Sequence, residues 1–379
     1  METTLLGRLR HRLATDAVSR PKPKDIIRAL ADDNQAPPDH AGLRDLAESV
    51  APDLTGAGRL QAFLDDPDVT DVVVNGPRRV WVDRGNGLEQ TSTVFGSSDE
   101  LRELAVRLAA AAGRRLDSAC PYVDVRLEDG TRLHAILPPL ASNGPYVSLR
   151  THRQRAFRLD ELVENDTIDP DAHQLLRRIV SARLAFLITG GTGTGKTTLM
   201  NSMLSLVPPR ERIIVVEDSR ELAPTHPHVL SLQSRLTNVE GRGRVDLAAL
   251  VRQALRMRPD RIIVGECRGV EVTELLSALN TGHEGGAGTL HCNTAADVPA
   301  RLEALALPGG VPRPGLHAQI ASALRVIVHL GRHGSGRRVE QISLIQRRES
   351  ELEVTDAYAF GRRRPAWTQL QRMLRERDA

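Results

Sequence analysis

The residues best placed to do chemistry in this sequence are glycines, threonines and one lysine between positions 187 and 200, LITGGTGTGKTTLM. From Gly190 to Thr197 their spacing fits GxxxxGK[ST], after a predicted strand and at the start of a predicted helix. Glycines let successive backbone N–H groups converge on phosphate oxygens, and the helix N-terminus adds partial positive charge. The sequence therefore predicts a phosphate-binding loop. Its predicted contact residues are Gly190, Gly191, Thr192, Gly193, Thr194, Gly195, Lys196, Thr197 and Thr198.

Lys196 strengthens this interpretation because lysine is rare in the chain. Lysines and arginines together number 51, and only Lys22, Lys24 and Lys196 are lysines. A lysine kept where arginine is otherwise used indicates a site that needs a compact ammonium, here for the β- and γ-phosphates of a bound nucleotide. The hydroxyl of Thr197 is the expected ligand of Mg²⁺. The alternative is a glycine-rich turn without a ligand.

A cluster of acids ends the next apolar segment, RIIVVEDSRELA. Glu217 follows the predicted strand directly, and Glu221 comes four residues later. Ligands of open α/β sheets lie at the carboxyl ends of the strands, so an acid there could orient water for attack on the γ-phosphate. The alternative is a cluster that caps the start of a helix.

Glu266 ends another apolar segment, RIIVGECRG, where a carboxylate could hold Mg²⁺ or its water ligands. The usual aspartate of such a strand is absent, and Gly265 precedes the glutamate. Arg268 lies two residues further on, close enough to pair with Glu266 or to reach a phosphate.

Two histidines bracket a fourth cluster, TGHEGGAGTLHCNT. His283 and His291 are eight residues apart, and neither belongs to an HxxxH or CxxC pattern, which argues against zinc. We expect a segment that senses the γ-phosphate, and no metal beyond Mg²⁺. The alternative is a glycine-rich turn with incidental histidines.

Composition restricts the class of protein. The chain has 379 residues, of which 40% are hydrophobic, as in a globular protein of two or three domains. No stretch approaches the roughly 18 apolar residues of a membrane-spanning helix, and the N-terminus lacks the apolar region of a signal peptide. We therefore expect a cytoplasmic protein. Interspersed charges and only 3% aromatic residues argue against a nucleic-acid groove.

The pattern along the chain indicates four segments. Residues 1–54 are predicted to be a helical extension, 55–155 a mixed α/β domain, 156–172 a linker and 173–379 an α/β domain. In the last segment continuous apolar strands alternate with helices, which predicts a parallel sheet covered on both faces.

The four motifs, in this order, resemble the ATPases of type II and type IV secretion systems, with their Walker A, Asp box, Walker B and His box. The segments RMRPDRIIVGE, TGHEGG with TLHCNT, and ITGGTGTGKTT are most similar to the CpaF-like ATPases of Tad/Flp pilus assembly. Upstream, DPDVTDVVVNGPRRVWVDRGNGLE and DGTRLHAILPPLASNGPYVSLR are similar to the N-terminal domain of that subgroup. The resemblance covers about residues 55–345.

This resemblance implies a RecA-like motor domain behind a smaller N-terminal α/β domain, in a ring-shaped homo-hexamer that hydrolyses ATP. In the related VirB11 branch, arginines of the N-terminal domain reach the nucleotide, and the matching positions are Arg132 and Arg150. Arg235 matches a motor-domain arginine that acts across subunits. By position Glu221 matches the general base, with Glu217 as the alternative. The sequence EDSRE departs from the EDPxE of type II and retraction enzymes, and a four-cysteine zinc insert is missing.

The implied function is to power pilus assembly or protein secretion at the inner (cytoplasmic) membrane. The implied partner is a polytopic platform protein of that membrane. Through this partner the cytoplasmic ATPase would associate peripherally with the membrane. The first alternative is a VirB11-like ATPase of a conjugation or type IV secretion system. A nucleic-acid motor or a nucleotide-regulated binding module is a further alternative.

Overall fold

The structure is a computed structural model of the chain. It describes residues 5, 8, 9, 12, 13, 23–32, 40–54, 56–85, 87–151, 156–235, 243–333 and 336–378. The chain divides into two compact units, Met1–Arg153 and Gln154–Ala379. Among the described residues, no helix is long and apolar enough to cross a membrane.

Two helices precede the sheet of the first unit, α1 (Pro23–Ala31) and α2 (His40–Leu54). They pack on each other through apolar side chains that recur at helical spacing. Their shared core contains Leu9, Leu13, Ile26, Ala29, Leu30, Leu43, Ala47, Val50 and Leu54. Of the other residues of the predicted extension, only 5, 8, 12 and 32 are described.

A six-stranded antiparallel sheet forms the remainder of the first unit. Its strands are β1 (Asp71–Asn75), β2 (Val80–Asp83), β3 (Leu88–Gln90), β4 (Tyr122–Arg126), β5 (Arg132–Ile136) and β6 (Tyr146–Arg150). Their order in the sheet is β3-β2-β1-β6-β5-β4. A short helix, α3 (Gln61–Leu64), precedes β1, and α4 (Ser98–Ala111) lies between β3 and β4.

One face of this sheet is buried. In β5 the side chains of Leu133 and Ala135 are buried. The side chain of His134 between them and that of Arg132 before them are not buried. This alternation has the period of two expected of a half-buried strand. The buried side chains join those of α4 in one core, so the arginines of the sheet project from its opposite face.

The second unit is built on a nine-stranded sheet. Its strands are β7 (Phe186–Gly190), β8 (Ile213–Glu217), β9 (Val229–Gln233), β10 (Arg261–Cys267), β11 (Ala287–His291), β12 (Val326–His333), β13 (Gly336–Arg348), β14 (Glu351–Ala359) and β15 (Arg362–Arg363). The order is β15-β14-β13-β12-β7-β11-β10-β8-β9. Its helices are α5 (Leu159–Glu164), α6 (Pro170–Ser181), α7 (Lys196–Leu204), α8 (Leu247–Ala254), α9 (Glu271–Asn280), α10 (Val298–Ala306), α11 (Arg313–Ala323) and α12 (Trp367–Asp378).

Helices cover both faces of this sheet, as the continuous apolar strands predict. Phe186 and Ile188 of β7 pack in one core with α5, α6, α7 and α12. Leu187, between them, packs in a second core with α8, α9, α10 and α11. Leu159 and Ile168, from the segment predicted as a linker, belong to the first of these cores, so that segment packs as part of the second unit.

The sheet is mixed, whereas the sequence pattern predicts a parallel one. Strand β12 runs parallel to β7, but β13 pairs antiparallel with β12 and β14 pairs antiparallel with β13. No helix separates these strands, and a short connection allows only an antiparallel return. The pattern also misses β9, because this edge strand is only partly buried and its sequence, VLSLQ, lacks a continuous apolar run.

Candidate active site

The loop between β7 and α7 has the backbone geometry of a phosphate cradle. Gly190, Gly193 and Gly195 have φ angles of 149°, 72° and 94°, which side chains other than glycine rarely adopt. A Cβ on Gly190 would also lie 2.4 Å from the carbonyl oxygen of Leu330 in β12. Because α7 begins directly after Gly195, the positive end of the helix dipole lies at this loop.

The ammonium group of Lys196 is held inside the loop. Its Nζ donates to the carbonyl oxygens of Gly190 (3.0 Å) and Gly191 (2.7 Å). Only 8% of the residue is exposed. Burial lowers the pKa of Lys196, and the carboxylates of Glu266 and Glu221 oppose that change. A cation is thus fixed at the start of the helix, where an anionic ligand would need it.

The threonines of the loop have different surroundings. Thr194 is buried, and its hydroxyl donates to the carbonyl oxygen of Gly191 (3.0 Å), which fixes the loop. Thr192 is exposed, and Thr198 lies in the first turn of α7. Thr197 Oγ1 donates to Glu221 Oε2 (3.4 Å), so this hydroxyl meets one of the predicted acids.

Glu217 and Glu221 lie in different environments. Glu217 is 4% exposed, and its Oε1 accepts the backbone N–H groups of Glu221 and Leu222, each at 3.0 Å. Glu221 is exposed and reaches Thr197. A buried carboxylate that accepts two backbone N–H groups holds the turn that presents Glu221. The sequence alone could not separate the two glutamates.

Glu266 and His291 come together at the carboxyl ends of the neighbouring strands β10 and β11. His291 Nε2 lies 3.0 Å from Glu266 Oε1, and His291 Nδ1 lies 3.4 Å from Lys196 Nζ. Arg268 pairs with the other carboxylate oxygen of Glu266 at 2.5 Å. His291 therefore links the lysine of the loop to the acid of β10.

The protonation state of His291 follows from its neighbours. Burial, and then the charge of Lys196, lower the pKa of His291 below its usual 6.5, although Glu266 opposes them. The imidazole is therefore neutral near pH 7. Since an ammonium can only donate, Nδ1 accepts from Lys196 and Nε2 donates to Glu266, a tautomer assigned from these partners.

Oxygen donors of the kind that Mg²⁺ prefers lie in this group: the hydroxyl of Thr197 and the carboxylates of Glu221 and Glu266. Both oxygens of Glu266 already have partners, His291 and Arg268, so direct binding to a metal requires that one contact be released. In the part of the chain that the structure describes, no group of three or more histidine, cysteine, aspartate and glutamate side chains could hold a metal ion.

The structure does not bring His283 to this group. His283 precedes β11, whereas His291 ends that strand. The neighbouring Gly285 lies at the end of the sheet where the parallel strands begin. A Cβ added to Gly285 would be 3.1 Å from the Cα of Arg183, which comes shortly before β7. His283 Nδ1 instead contacts the carbonyl oxygen of Ala278 (3.2 Å). The length of β11 therefore separates the two histidines.

Arg235 lies just after β9, the last strand at one edge of the sheet. Its guanidinium donates from Nε to the carbonyl oxygen of Gly243 (2.6 Å), and the residue is exposed. Residues 236–242, between these two partners, lie outside the described residues. Arg235 is thus at the rim of the unit, apart from Lys196.

Arg132 and Arg150 lie directly opposite each other on β5 and β6 of the first unit. Like charges in this position repel, and each has a carboxylate partner. Arg132 forms two hydrogen bonds with Asp124 (2.9 and 2.6 Å), and Arg150 Nε lies 2.9 Å from Asp71 Oδ1. Their side chains are 37% and 59% exposed, so both remain accessible.

Arg337 is a neighbour of the loop that the sequence motifs do not predict. Leu330 of β12 is in register with Gly190, so β12 and β13 continue past the end of β7. Arg337, at the start of β13, places its Cδ 3.6 Å from where a Cβ on Gly195 would lie. The signal in the sequence is the run GRHGSGRR between two strand patterns.

His329 supports the loop from behind. Its Nδ1 lies 2.8 Å from Thr189 Oγ1, in the residue before Gly190, and the side chain is almost fully buried. Burial lowers the pKa of His329, so it too is neutral near pH 7. This contact joins β7 to β12 immediately before the phosphate loop.

The family of the chain follows from comparison with known proteins. The family model described as Type II/IV secretion system protein matches residues 53–363. The chain therefore belongs to this family of secretion ATPases, as the four motifs predict.

Individual relatives agree with this assignment. A putative conjugal transfer protein of Mycobacterium tuberculosis is 51% identical over 317 residues, covering 82% of this chain and 90% of the relative. The conjugal transfer protein TrbB of Rhizobium radiobacter is 32% identical over 306 residues, covering 79% and 91%. The X-ray structure of the ATPase DotB of Legionella pneumophila matches with a TM-score of 0.52 at 21% identity, over 77% of this chain and 80% of that one. The similarity to DotB confirms the fold.

Proposed function

We propose that the protein is a Mg²⁺-dependent ATPase that drives transport or pilus assembly at the cytoplasmic face of the inner membrane. One observation carries the proposal: five side chains meet at the carboxyl ends of the parallel strands. They are Lys196, Thr197 with Glu221, and Glu266 with His291. Membership of the secretion ATPase family supports it.

Each group has a role in this proposal. The loop and Lys196 bind the phosphates, and Thr197 with Glu266 would hold Mg²⁺, which when bound neutralises phosphate charge and orients the substrate. Glu221 orients the attacking water and accepts its proton, and Glu217 positions Glu221 through two backbone hydrogen bonds. His291 and Arg268 hold the carboxylate of Glu266 between them.

The active assembly in this proposal is a homo-hexamer in which arginines complete the site. Arg132 and Arg150 present accessible guanidinium groups side by side, a geometry suited to charge spread over phosphate oxygens. Arg235, exposed at the rim of its unit, would act across subunits. Domain movement that follows loss of the γ-phosphate contacts would act on a polytopic platform protein in the membrane.

Two transport systems fit this motor. The sequences of the motif segments, such as RMRPDRIIVGE, favour a CpaF-like ATPase of Tad/Flp pilus assembly. The names of the relatives in Mycobacterium tuberculosis and Rhizobium radiobacter favour a conjugal transfer system. Neighbouring prepilin and small platform genes would support the first, and neighbouring relaxase and coupling-protein genes the second.

Steady-state ATP hydrolysis by the purified full chain tests the proposal. We expect turnover that requires Mg²⁺ and is lost in Lys196→Ala. Lys24→Ala, which changes an exposed lysine of α1, is the matched control and should behave as wild type. Equal turnover in Lys196→Ala and wild type would refute hydrolysis at this site. Light scattering with a non-hydrolysable ATP analogue tests the hexamer, and a monomer under all conditions would refute that part.

A further inference from the structure

A cavity of about 490 Å³ lies at the amino ends of the parallel strands of the nine-stranded sheet. The segments that line it precede β7, β8 and β10, whereas the phosphate loop follows β7 and its acids Glu217 and Glu266 lie at the carboxyl ends of β8 and β10. A five-residue strand is about 16 Å long, so the cavity is well separated from Lys196. Its charged lining residues are Arg183, Arg210, Glu211, Arg212, Arg258 and Asp260.

The carboxylate of Glu211 is already neutralised. Arg261, which is 1% exposed, donates from Nε to Glu211 Oε2 at 2.7 Å. Arg183 Nη1 lies 3.3 Å from the other oxygen, Oε1. One acid of the cavity is therefore shared by two guanidinium groups.

Asp260 is engaged by its surroundings as well. Its Oδ2 accepts the backbone N–H of Arg212 at 2.7 Å, and its carbonyl oxygen accepts from Arg183 Nη2 at 3.1 Å. Its carboxylate therefore holds the backbone at the start of β8 and pairs with no guanidinium of the lining.

Three guanidinium groups of the lining remain without a carboxylate. Across the described ranges, the guanidinium groups of Arg210, Arg212 and Arg258 form no ion pair with a carboxylate. Arg212 Nη1 donates to His228 Nε2 at 2.8 Å, while its Nε is buried and has no hydrogen-bond partner among the residues described. The cavity thus holds an excess of positive charge.

We propose that this cavity binds a small anion with two or more linked phosphate groups. Guanidinium forks donate paired hydrogen bonds to phosphate oxygens, and three such groups at one concave site suit a polyphosphate better than a single carboxylate. The volume lies within the range of small-ligand sites. Arg258 comes from RMRPDR, a segment of the family motif whose side chains the ATP site does not use.

This inference goes beyond the proposed ATPase and does not rest on it, since none of the side chains assigned to ATP hydrolysis lines the cavity.

Binding of inorganic tripolyphosphate to the full-length Lys196→Ala protein, measured by titration calorimetry at constant ionic strength, tests the proposed anion site. We expect one site per chain. The double variant Arg212→Gln/Arg258→Gln should weaken binding by about tenfold or more, since charged hydrogen bonds are lost. Arg256→Gln, an exposed arginine outside the lining, should stay within about twofold.

A second measurement uses the wild-type protein and identifies the site directly. Tripolyphosphate should protect Arg210 and Arg258 from phenylglyoxal, with Arg256 unprotected, as read by peptide mass spectrometry. ATP in place of tripolyphosphate shows whether a nucleoside is also accepted. Absence of binding to Lys196→Ala, equal affinity in the double variant, or no protection of Arg210 and Arg258 would each overturn the proposal.

Discussion

Gly265 of β10 lies directly against Glu217 of β8: a Cβ on Gly265 would be 2.5 Å from Glu217 Cγ and 2.9 Å from its Oε1. The two strands are neighbours, with Val264 in register with Val216. Only glycine leaves room for the buried carboxylate to accept the N–H groups that follow β8. The glycine that replaces the expected aspartate before Glu266 thus has a packing reason.

Gly265→Ala should disturb this arrangement. The added methyl group must displace Glu217, so we expect a loss of about 1–3 kcal/mol in the free energy of unfolding. Turnover should fall by up to roughly a hundredfold, because the turn that presents Glu221 moves. Gly315→Ala in α11, where a Cβ meets nothing within 4 Å, is the control. Denaturant titration and ATP turnover measure the two effects, and wild-type values in both would contradict the packing argument.

Substitutions of Glu217 distinguish positioning from proton transfer. Glu217→Gln keeps a carbonyl oxygen that can accept the N–H groups of Glu221 and Leu222, whereas Glu217→Ala removes it. We therefore expect the glutamine variant to retain most of the turnover, and the alanine variant to lose it. If both variants were equally inactive in an ATP turnover assay, a positioning role for Glu217 would be wrong.

Acid should inhibit the site through His291. As pH falls through its lowered pKa, an imidazolium forms beside Lys196, and Nδ1 can no longer accept from it. Turnover should therefore decline below about pH 6.5, and His291→Gln should flatten this acid limb. An unchanged limb in His291→Gln would assign the titration to another group.

Stability should change with pH in the same direction. Since the pKa values of His291 and His329 are lowered in the folded protein, the unfolded chain binds more protons below about pH 6.5. The free energy of unfolding should therefore fall as the pH drops from about 6.5 through the pKa values of these histidines in the folded protein. Above about pH 6.5 the two histidines should not change the free energy of unfolding. His329→Gln should reduce this slope, measured by denaturant titration across pH, and a steeper slope would contradict the argument.

Arg337 should contribute to nucleotide binding because it lies beside Gly195. Arg337→Ala is expected to weaken binding of a fluorescent ATP analogue by about tenfold, as loss of a charged hydrogen bond does. Arg338→Ala, the exposed neighbour in the same strand, should change it by less than about twofold. Equal effects of the two substitutions would show a general charge effect instead of a specific contact.

The sequence predicts the parts of this site that depend on local pattern. The phosphate loop has a fixed spacing, and Glu217 and Glu266 end apolar strand patterns. The position of the loop and of both glutamates at the carboxyl ends of the parallel strands can therefore be inferred. The sequence assigns His283 and His291 to one site, although AGTLHC, which has the pattern of a strand, separates them. Arg337 escapes prediction since β12 and β13 reach the loop through pairing with β7, a contact distant in the chain.

The most direct test of the account is single-turnover hydrolysis of ATP by Glu221→Gln. The amide keeps the size of the side chain but cannot accept a proton, so the rate constant should fall by about 10²–10⁴, while ATP analogue binding is kept. Glu217→Gln, measured in parallel, should stay close to wild type. Hydrolysis at the wild-type rate by Glu221→Gln, with Glu217→Gln inactive, would contradict the assignment of Glu221 as the group that activates water.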